Sequence, residues 1–195
     1  AICLGTPSLS VYEMVGATAT YPNQGIYQKP IFITRIEDKN GNIIETFTSE
    51  ATDALDDRTA YLMLSLMQGV VESGTGIRLR YKYKLNYPIA GKTGTTDNNS
   101  DGWFMGLTPD LVTGVWVGAD DRSVHFRSTS LGQGANMALP IWAIFMKKVY
   151  ADSTLDISKG DFERPASMST VELDCNKADA SGERTTTEGV DEFGF

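Results

Sequence analysis

Histidine is nearly missing from this 195-residue chain, where His125 is the single example. A zinc site built on two or more histidines is therefore excluded within it. Cysteine is almost as scarce. Cys3 and Cys175 stand near opposite ends, which rules out a four-cysteine cluster, a C-x-x-C pair and a disulfide-scaffolded fold. One disulfide between Cys3 and Cys175 in an oxidising compartment, or two free thiols, both remain open. Long apolar runs are absent as well. The longest, residues 137–146, contains Pro140 and falls well short of the roughly 20 apolar residues a membrane-spanning helix needs. No charged leader marks a signal peptide. The chain opens on Ala1-Ile2-Cys3-Leu4-Gly5 without an initiator Met and reads as a piece of a longer polypeptide.

Positive charge is in deficit, with 17 Lys and Arg against 25 Asp and Glu, for a net charge of −8. The imbalance is local. Residues 151–195 carry 11 acidic and 4 basic side chains, whereas residues 1–150 are nearly neutral. An acidic chain without a basic run argues against nucleic-acid binding. Hydrophobic residues make up 41% and charged residues 22%, the composition of a globular domain with a core. The acidic end divides further. Hydrophobic periodicity fades after Ala151, and residues 178–195 are rich in Thr, Glu and Gly, so this tail is expected to be partly disordered and to add little to stability.

The body alternates helix and strand signals. Ser10 followed by Glu13 is a capping box, so a helix is expected from there to about Tyr21, before Pro22 and Gly25. Residues 30–36 read as a strand, Asn40-Gly41 as a hairpin turn, and residues 43–48 as the return strand. Asp56 or Asp57 caps a second helix, with Met63, Leu66, Met67 and Val70 at helical spacing and Gly74 and Gly76 ending it. Residues 77–85 alternate apolar side chains with Arg78, Arg80, Lys82 and Lys84. They read as an extended segment with one basic face, either a charge-protected edge or a surface for an anionic polymer. Strands are expected at 88–95, 101–107 and 111–119. Their close spacing allows only antiparallel pairing. A last helix runs through Ile141, Trp142, Ile144, Phe145 and Val149, with Pro140 in its first turn and residues 137–146 as its buried face. The fold class is α+β.

One segment carries chemistry: Ala90-Gly91-Lys92-Thr93-Gly94-Thr95-Thr96. A nucleotide-binding P-loop would need Gly five residues before Gly91 and a helix after Thr93. Asn86 occupies the first position, and the turn-forming Asp97-Asn98-Asn99-Ser100 the second. The other owner of such a segment carries Lys-Thr-Gly on a strand. With Asp101-Gly102-Trp103-Phe104-Met105-Gly106 and Val115-Trp116-Val117-Gly118 downstream, the pattern resembles the C-terminal half of the transpeptidase domain of class A penicillin-binding proteins. These are bifunctional cell-wall synthases with a glycosyltransferase and a transpeptidase domain. Leu4-Gly5-Thr6, Tyr12-Glu13-Met14, Gln68-Gly69-Val70-Val71, Gly74-Thr75-Gly76 and Ala138-Leu139-Pro140-Ile141-Trp142 extend the resemblance over residues 1–150. The acidic tail lies outside it.

The resemblance implies a partial penicilloyl-serine transferase fold, an antiparallel sheet with flanking helices. It implies acyl transfer from stem peptides ending in D-Ala-D-Ala, sensitivity to β-lactams, and no metal or organic cofactor. Lys92 would supply fixed positive charge and help proton movement. The hydroxyls of Thr93 and Thr95 would bind the terminal carboxylate. The Thr95 backbone N–H would be one oxyanion donor, and Gly94 would let the substrate backbone lie against the strand. The family's nucleophile motif S-x-x-K and its S-x-N are matched by none of the chain's serines. Both are expected upstream of Ala1 in the same polypeptide, together with the parent's membrane anchor, and this chain alone is expected to be inactive. The rival reading is a non-catalytic peptide- or glycan-binding module on the same fold.

Other candidates are weaker. Asp97 and Asp101 flank the loop after Thr96 and read as turn formers rather than a catalytic carboxylate pair. His125 reads as a surface or hydrogen-bonding residue. Trp103 and Trp116 fit either core or cleft.

Overall fold

A computed structural model describes residues 7–168. The expectations for Cys3, Leu4-Gly5-Thr6, Cys175 and residues 178–195 lie outside the described residues. Ser10 caps α1 (Val11–Ala19) with both halves of the capping box in place. The Ser10 hydroxyl accepts from the Glu13 N–H at 3.2 Å, and the Ser10 N–H donates to Glu13 Oε2 at 2.8 Å. The helix stops two residues earlier than expected, and the chain turns at Gly25, whose φ of 89° suits glycine. Four short strands follow: β1 (Ile26–Gln28), β2 (Arg35–Glu37), β3 (Ile43–Thr46) and β4 (Ala51–Asp53). β2 and β3 form the hairpin expected at Asn40-Gly41. Asp38 Oδ1 accepts from the N–H groups of Asn40 and Asn42, fixing that turn.

The strand expected over 30–36 is corrected. Only its end, in β2, is a strand. The chain instead pairs earlier, β1 with β4, closing the base of the excursion. Pro30 offers no N–H to a ladder, which helps to explain the gap.

Asp56 caps α2 (Asp57–Glu72), its carboxylate accepting from the Thr59 N–H at 2.8 Å. The buried face is Ala60, Leu64, Met67 and Val71. Of the residues read at helical spacing, Met67 is buried, whereas Met63 and Leu66 are exposed. Apolar residues occur on more than one side of this helix, so spacing alone does not select the face.

Residues 77–85 also correct the sequence reading. They form a one-turn helix, α3 (Arg78–Tyr81), closed by local bonds such as Leu79 N–H to the Gly76 carbonyl and Lys82 N–H to that of Arg78. Among the described residues no strand lies beside the segment to pair with it. Leu79 and Leu85 are buried, whereas Ile77 and Tyr81 are exposed. The basic residues do not share one face. Arg80 turns inward to the carbonyls of Leu85 and Tyr87 and pairs with Glu72. Arg78 reaches the Ala135 carbonyl at 3.2 Å, and Lys82 lies over the Tyr83 ring.

The central sheet is β5 (Ala90–Thr95), β6 (Asp101–Leu107) and β7 (Val112–Gly118), antiparallel and in sequence order. After α4 (Thr129–Gly132), α5 (Gly134–Ala151) packs across it. Trp142 is fully buried and meets Phe104 edge-on at 5.2 Å. Gly106 makes this possible, since a Cβ there would overlap the Trp142 indole. Pro140 sits in the second turn of α5, not the first. The buried face runs through Ala135, Ala138, Leu139, Trp142, Ala143, Met146 and Val149. Ile141, Ile144 and Phe145 point outward, so residues 137–146 are only in part the buried face.

Beyond α5 the chain stays on the domain. The Ser158 N–H donates to Asp110 at 2.7 Å. Phe162 is buried with Leu64, Met67, Ala90 and Leu107, and Met168 is buried too.

Candidate active site

β5 brings Lys92, Thr93, Gly94 and Thr95 together on the outer strand of the central sheet. β6 pairs with one edge, and among the described residues no strand pairs with the other. Side chains alternate along a strand, so Thr93 and Thr95 share one face and Lys92 and Gly94 the opposite one. Lys92 is exposed, and its Nζ donates to the Thr93 carbonyl at 2.6 Å. The ammonium thus lies along the strand, beside the Thr93 carbonyl.

Both threonine hydroxyls are engaged on one side only. Thr95 Oγ1 accepts from the Gly134 N–H, at the start of α5, at 3.0 Å. Thr93 Oγ1 lies 2.8 Å from Thr75 Oγ1, in the Gly74-Thr75-Gly76 turn that follows α2. A hydroxyl has one proton and two lone pairs. Thr95 therefore keeps its proton for an incoming acceptor, and Thr93 keeps its own whenever Thr75 donates.

Two glycines set the tightness of this corner. Gly134 sits so close to the Gly94 and Trp103 carbonyls that a Cβ would overlap both. A Cβ on Gly94 would lie 3.1 Å from Trp103 Cβ. The start of α5 is thus seated directly on the end of the Lys-Thr-Gly strand.

The other sequence candidates separate. Trp103 and Trp116 are cross-strand partners on β6 and β7. Trp103 is half-buried and Trp116 exposed, so Trp116 is not a core residue. Their faces follow from the register: they lie on the side of the sheet that carries Lys92 and Gly94. Asp97 opens an exposed 3-10 turn, while Asp101 is a buried first residue of β6. His125 is exposed, its Nδ1 3.1 Å from the Phe126 carbonyl. Thr75 enters the sequence reading only within the Gly74-Thr75-Gly76 segment of the resemblance, with no role given, and Gly134 does not enter it. Each reaches β5 from a distant part of the chain, and spacing carries no such signal. Among the described residues no cluster of three or more His, Cys, Asp or Glu side chains is arranged to hold a metal ion. No described helix is long and apolar enough to cross a membrane.

Comparison with known proteins agrees with this architecture. The family model for the penicillin binding protein transpeptidase domain matches residues 3–130. Penicillin-binding protein 1A of Aquifex aeolicus (strain VF5) is 35% identical, covering 97% of this chain and 24% of that protein. Penicillin-binding protein 1A of Neisseria gonorrhoeae is 33% identical over 75% of this chain and 18% of its own length. The chain thus spans a quarter or less of these relatives. A crystal structure of penicillin-binding protein 1A from Haemophilus influenzae shares the fold with a TM-score of 0.67 at 21% identity, over 78% of this chain and 28% of that one. The structure of the penicillin-binding protein PonA1 from Mycobacterium tuberculosis matches with a TM-score of 0.64 at 25% identity, over 80% of this chain and 41% of that one. With a matching family model, similar relatives and a shared sheet-and-helix arrangement, this chain belongs to the transpeptidase-domain family of the class A penicillin-binding proteins.

Proposed function

We propose that this chain forms one wall of the cleft of a serine D,D-transpeptidase that cross-links peptidoglycan stem peptides. The observation that carries the reading is the run Lys92, Thr93, Gly94 and Thr95 on a strand whose outer edge lacks a strand partner among the described residues. A stem peptide ending in D-Ala-D-Ala lies along that edge, its backbone close to Gly94. A serine hydroxyl attacks the penultimate carbonyl. The C–O bond forms, the C–N bond breaks, and the terminal D-Ala leaves with the proton on its amine. The amine of a second stem peptide then displaces the serine from the ester. β-Lactams enter the same sequence, and their ring-opened acyl group stays on the serine.

In this scheme Lys92 presents positive charge where the substrate carboxylate and oxyanion gather. Thr93 and Thr95 donate hydroxyl protons to the terminal carboxylate. The Thr95 N–H is one of two oxyanion donors, the other coming from the serine's own backbone. The serine motif is not in this sequence and is assigned to a preceding part of the same polypeptide, with an anchor that holds the catalytic region on the outer face of the cell membrane. Residues 1–150 are assigned as the C-terminal portion of the transpeptidase domain and residues 151–195 as its acidic tail.

The test is labelling with a fluorescent penicillin, followed by a denaturing gel and intact mass. The full-length protein should gain one adduct on one serine, and the 195-residue chain none. An adduct on this chain would move the active site elsewhere. The lack of S-x-x-K within the chain also favours a second reading, a non-catalytic peptide- or glycan-binding module; a full-length protein that takes no label would support it.

A further inference from the structure

Thr75 belongs to neither the Lys-Thr-Gly strand nor its neighbours in sequence, yet its hydroxyl is 2.8 Å from that of Thr93. We propose that Thr75 is a positioning residue that orients the Thr93 hydroxyl so that its proton points at the substrate carboxylate. This rests on the reading that Thr93 holds that carboxylate.

The argument begins with the turn. The Gly76 N–H donates to the Val70 carbonyl at 2.9 Å, and the Gly74 N–H to the Gly69 carbonyl at 3.2 Å. The chain therefore folds straight back over the end of α2. A Cβ on Gly74 would lie 2.9 Å from Val70 Cα, and one on Gly76 3.1 Å from the Val70 carbonyl oxygen. The two glycines let the turn close against the helix, and Thr75 between them is its only side chain. Val71 and Leu79, fully buried on either side of the turn, anchor it to the core. The hydroxyl is thus presented to β5 from a fixed support rather than from a loose loop.

The second step is proton direction. A threonine hydroxyl that hydrogen-bonds two partners donates to one and accepts from the other. A carboxylate only accepts. With a carboxylate in place, Thr93 must donate to it, and its lone pair then faces Thr75. Thr75 in turn must donate to Thr93. The pair becomes a short chain, Thr75 to Thr93 to carboxylate, with a single direction set by the ligand's charge. Without Thr75 the Thr93 hydroxyl loses the partner that pins its rotamer and must be ordered when substrate binds.

The experiment uses the full-length protein and two acylating agents, a penicillin and its carboxylate methyl ester. Second-order acylation rate constants are measured for Thr75→Val, Thr75→Ala, Thr75→Ser and Thr93→Ala. Thr75→Val should slow the free acid about three- to tenfold, the worth of one hydrogen bond, with Thr75→Ala behaving alike. Thr75→Ser should restore the rate to within about twofold, because the donor is restored. The ester keeps an acceptor carbonyl but no charge, so Thr75→Val should slow it less than the free acid, by no more than about twofold. An unchanged Thr75→Val rate, or equal slowing of acid and ester, overturns the proposal, since the second pattern is that of a distorted fold. If Thr93→Ala slows the free acid and Thr75→Val does not, only the role of Thr75 fails. If Thr93→Ala leaves the free acid unchanged, the carboxylate reading of Thr93 fails and takes this one with it.

Discussion

Single side chains in this protein act at boundaries, where a helix begins or two elements touch. Asp56 is an example. Hydrogen bonds from the Thr59 hydroxyl and then from its backbone N–H hold the carboxyl below the usual carboxylate range. A carboxylate whose folded pKa is lowered adds stability above its unfolded pKa, and that stability is lost as pH falls through the lower, folded value. Asn also caps helices but does not titrate. Thermal melts at neutral pH and at about pH 3 should therefore differ less for Asp56→Asn than for wild type, with the unfolded Asp titrating near 3.9. Equal differences would show that the cap is electrostatically idle. Gly106 tests packing in the same way. Its missing side chain is the space that the Trp142 indole fills, so Gly106→Ala should cost about 1–3 kcal/mol by overpacking, read from denaturant midpoints. At Lys92, loss of the ammonium in the full-length protein should slow penicillin acylation on the order of 100-fold, the usual cost of removing one group aimed at developing charge. A smaller effect than tenfold in stopped-flow acylation would remove Lys92 from that role.

Among the elements, those set by neighbouring residues are legible in the sequence. The Ser10 and Glu13 box, the Asn40-Gly41 hairpin and the Asp56 cap depend on contacts within a few positions, and all three are present. Of the three central strands, β6 and β7 are legible as short runs rich in apolar and β-branched residues bounded by turn residues, whereas β5 is legible through its Lys-Thr-Gly motif. What is not legible depends on partners far away. β1 gives no local signal because its partner β4 lies 25 residues on, at Ile26 and Ala51 as first residues. The alternation over residues 77–85 imitates a strand, but the buried Leu79 and the inward Arg80 are satisfied by a helical turn. For α5 the sequence is apolar nearly all round, so periodicity has little to choose between. The site divides along the same line. Lys92, Thr93, Gly94 and Thr95 can be named from one contiguous motif, whereas Thr75 and Gly134 join them only through tertiary packing. The α5 contact offers the element-scale test. Trp142→Ala should destabilise the protein by about 3–5 kcal/mol, since the indole is fully buried between helix and sheet. A loss below about 1 kcal/mol in chemical denaturation would mean that α5 is not part of the cooperative unit.

For the molecule as a whole, the architecture gathers two buried clusters on the sheet, one under α5 and one toward α2. Phe162 belongs to the second, so residues just beyond α5 share in the core. Ending the chain after Ala151 should cost about 3 kcal/mol or more relative to ending it after Met168, at about 1.5–3 kcal/mol for each large apolar side chain uncovered. Equal unfolding midpoints for the two truncations would show that the Phe162 and Met168 contacts add nothing. The β1 and β4 pairing has a consequence of another kind. Gln28 and Ala51 are register partners, so the polypeptide leaves the body and returns to it at adjacent points. Whatever lies between them is a cassette: a two-residue turn would close the same gap, and because closure entropy grows only slowly with length, so would a far longer insertion. Changes of length beyond Phe32, whose ring stacks on Tyr12 of α1, should therefore leave the spacing between α1 and α2, and hence the seat of the Lys-Thr-Gly strand, as it is.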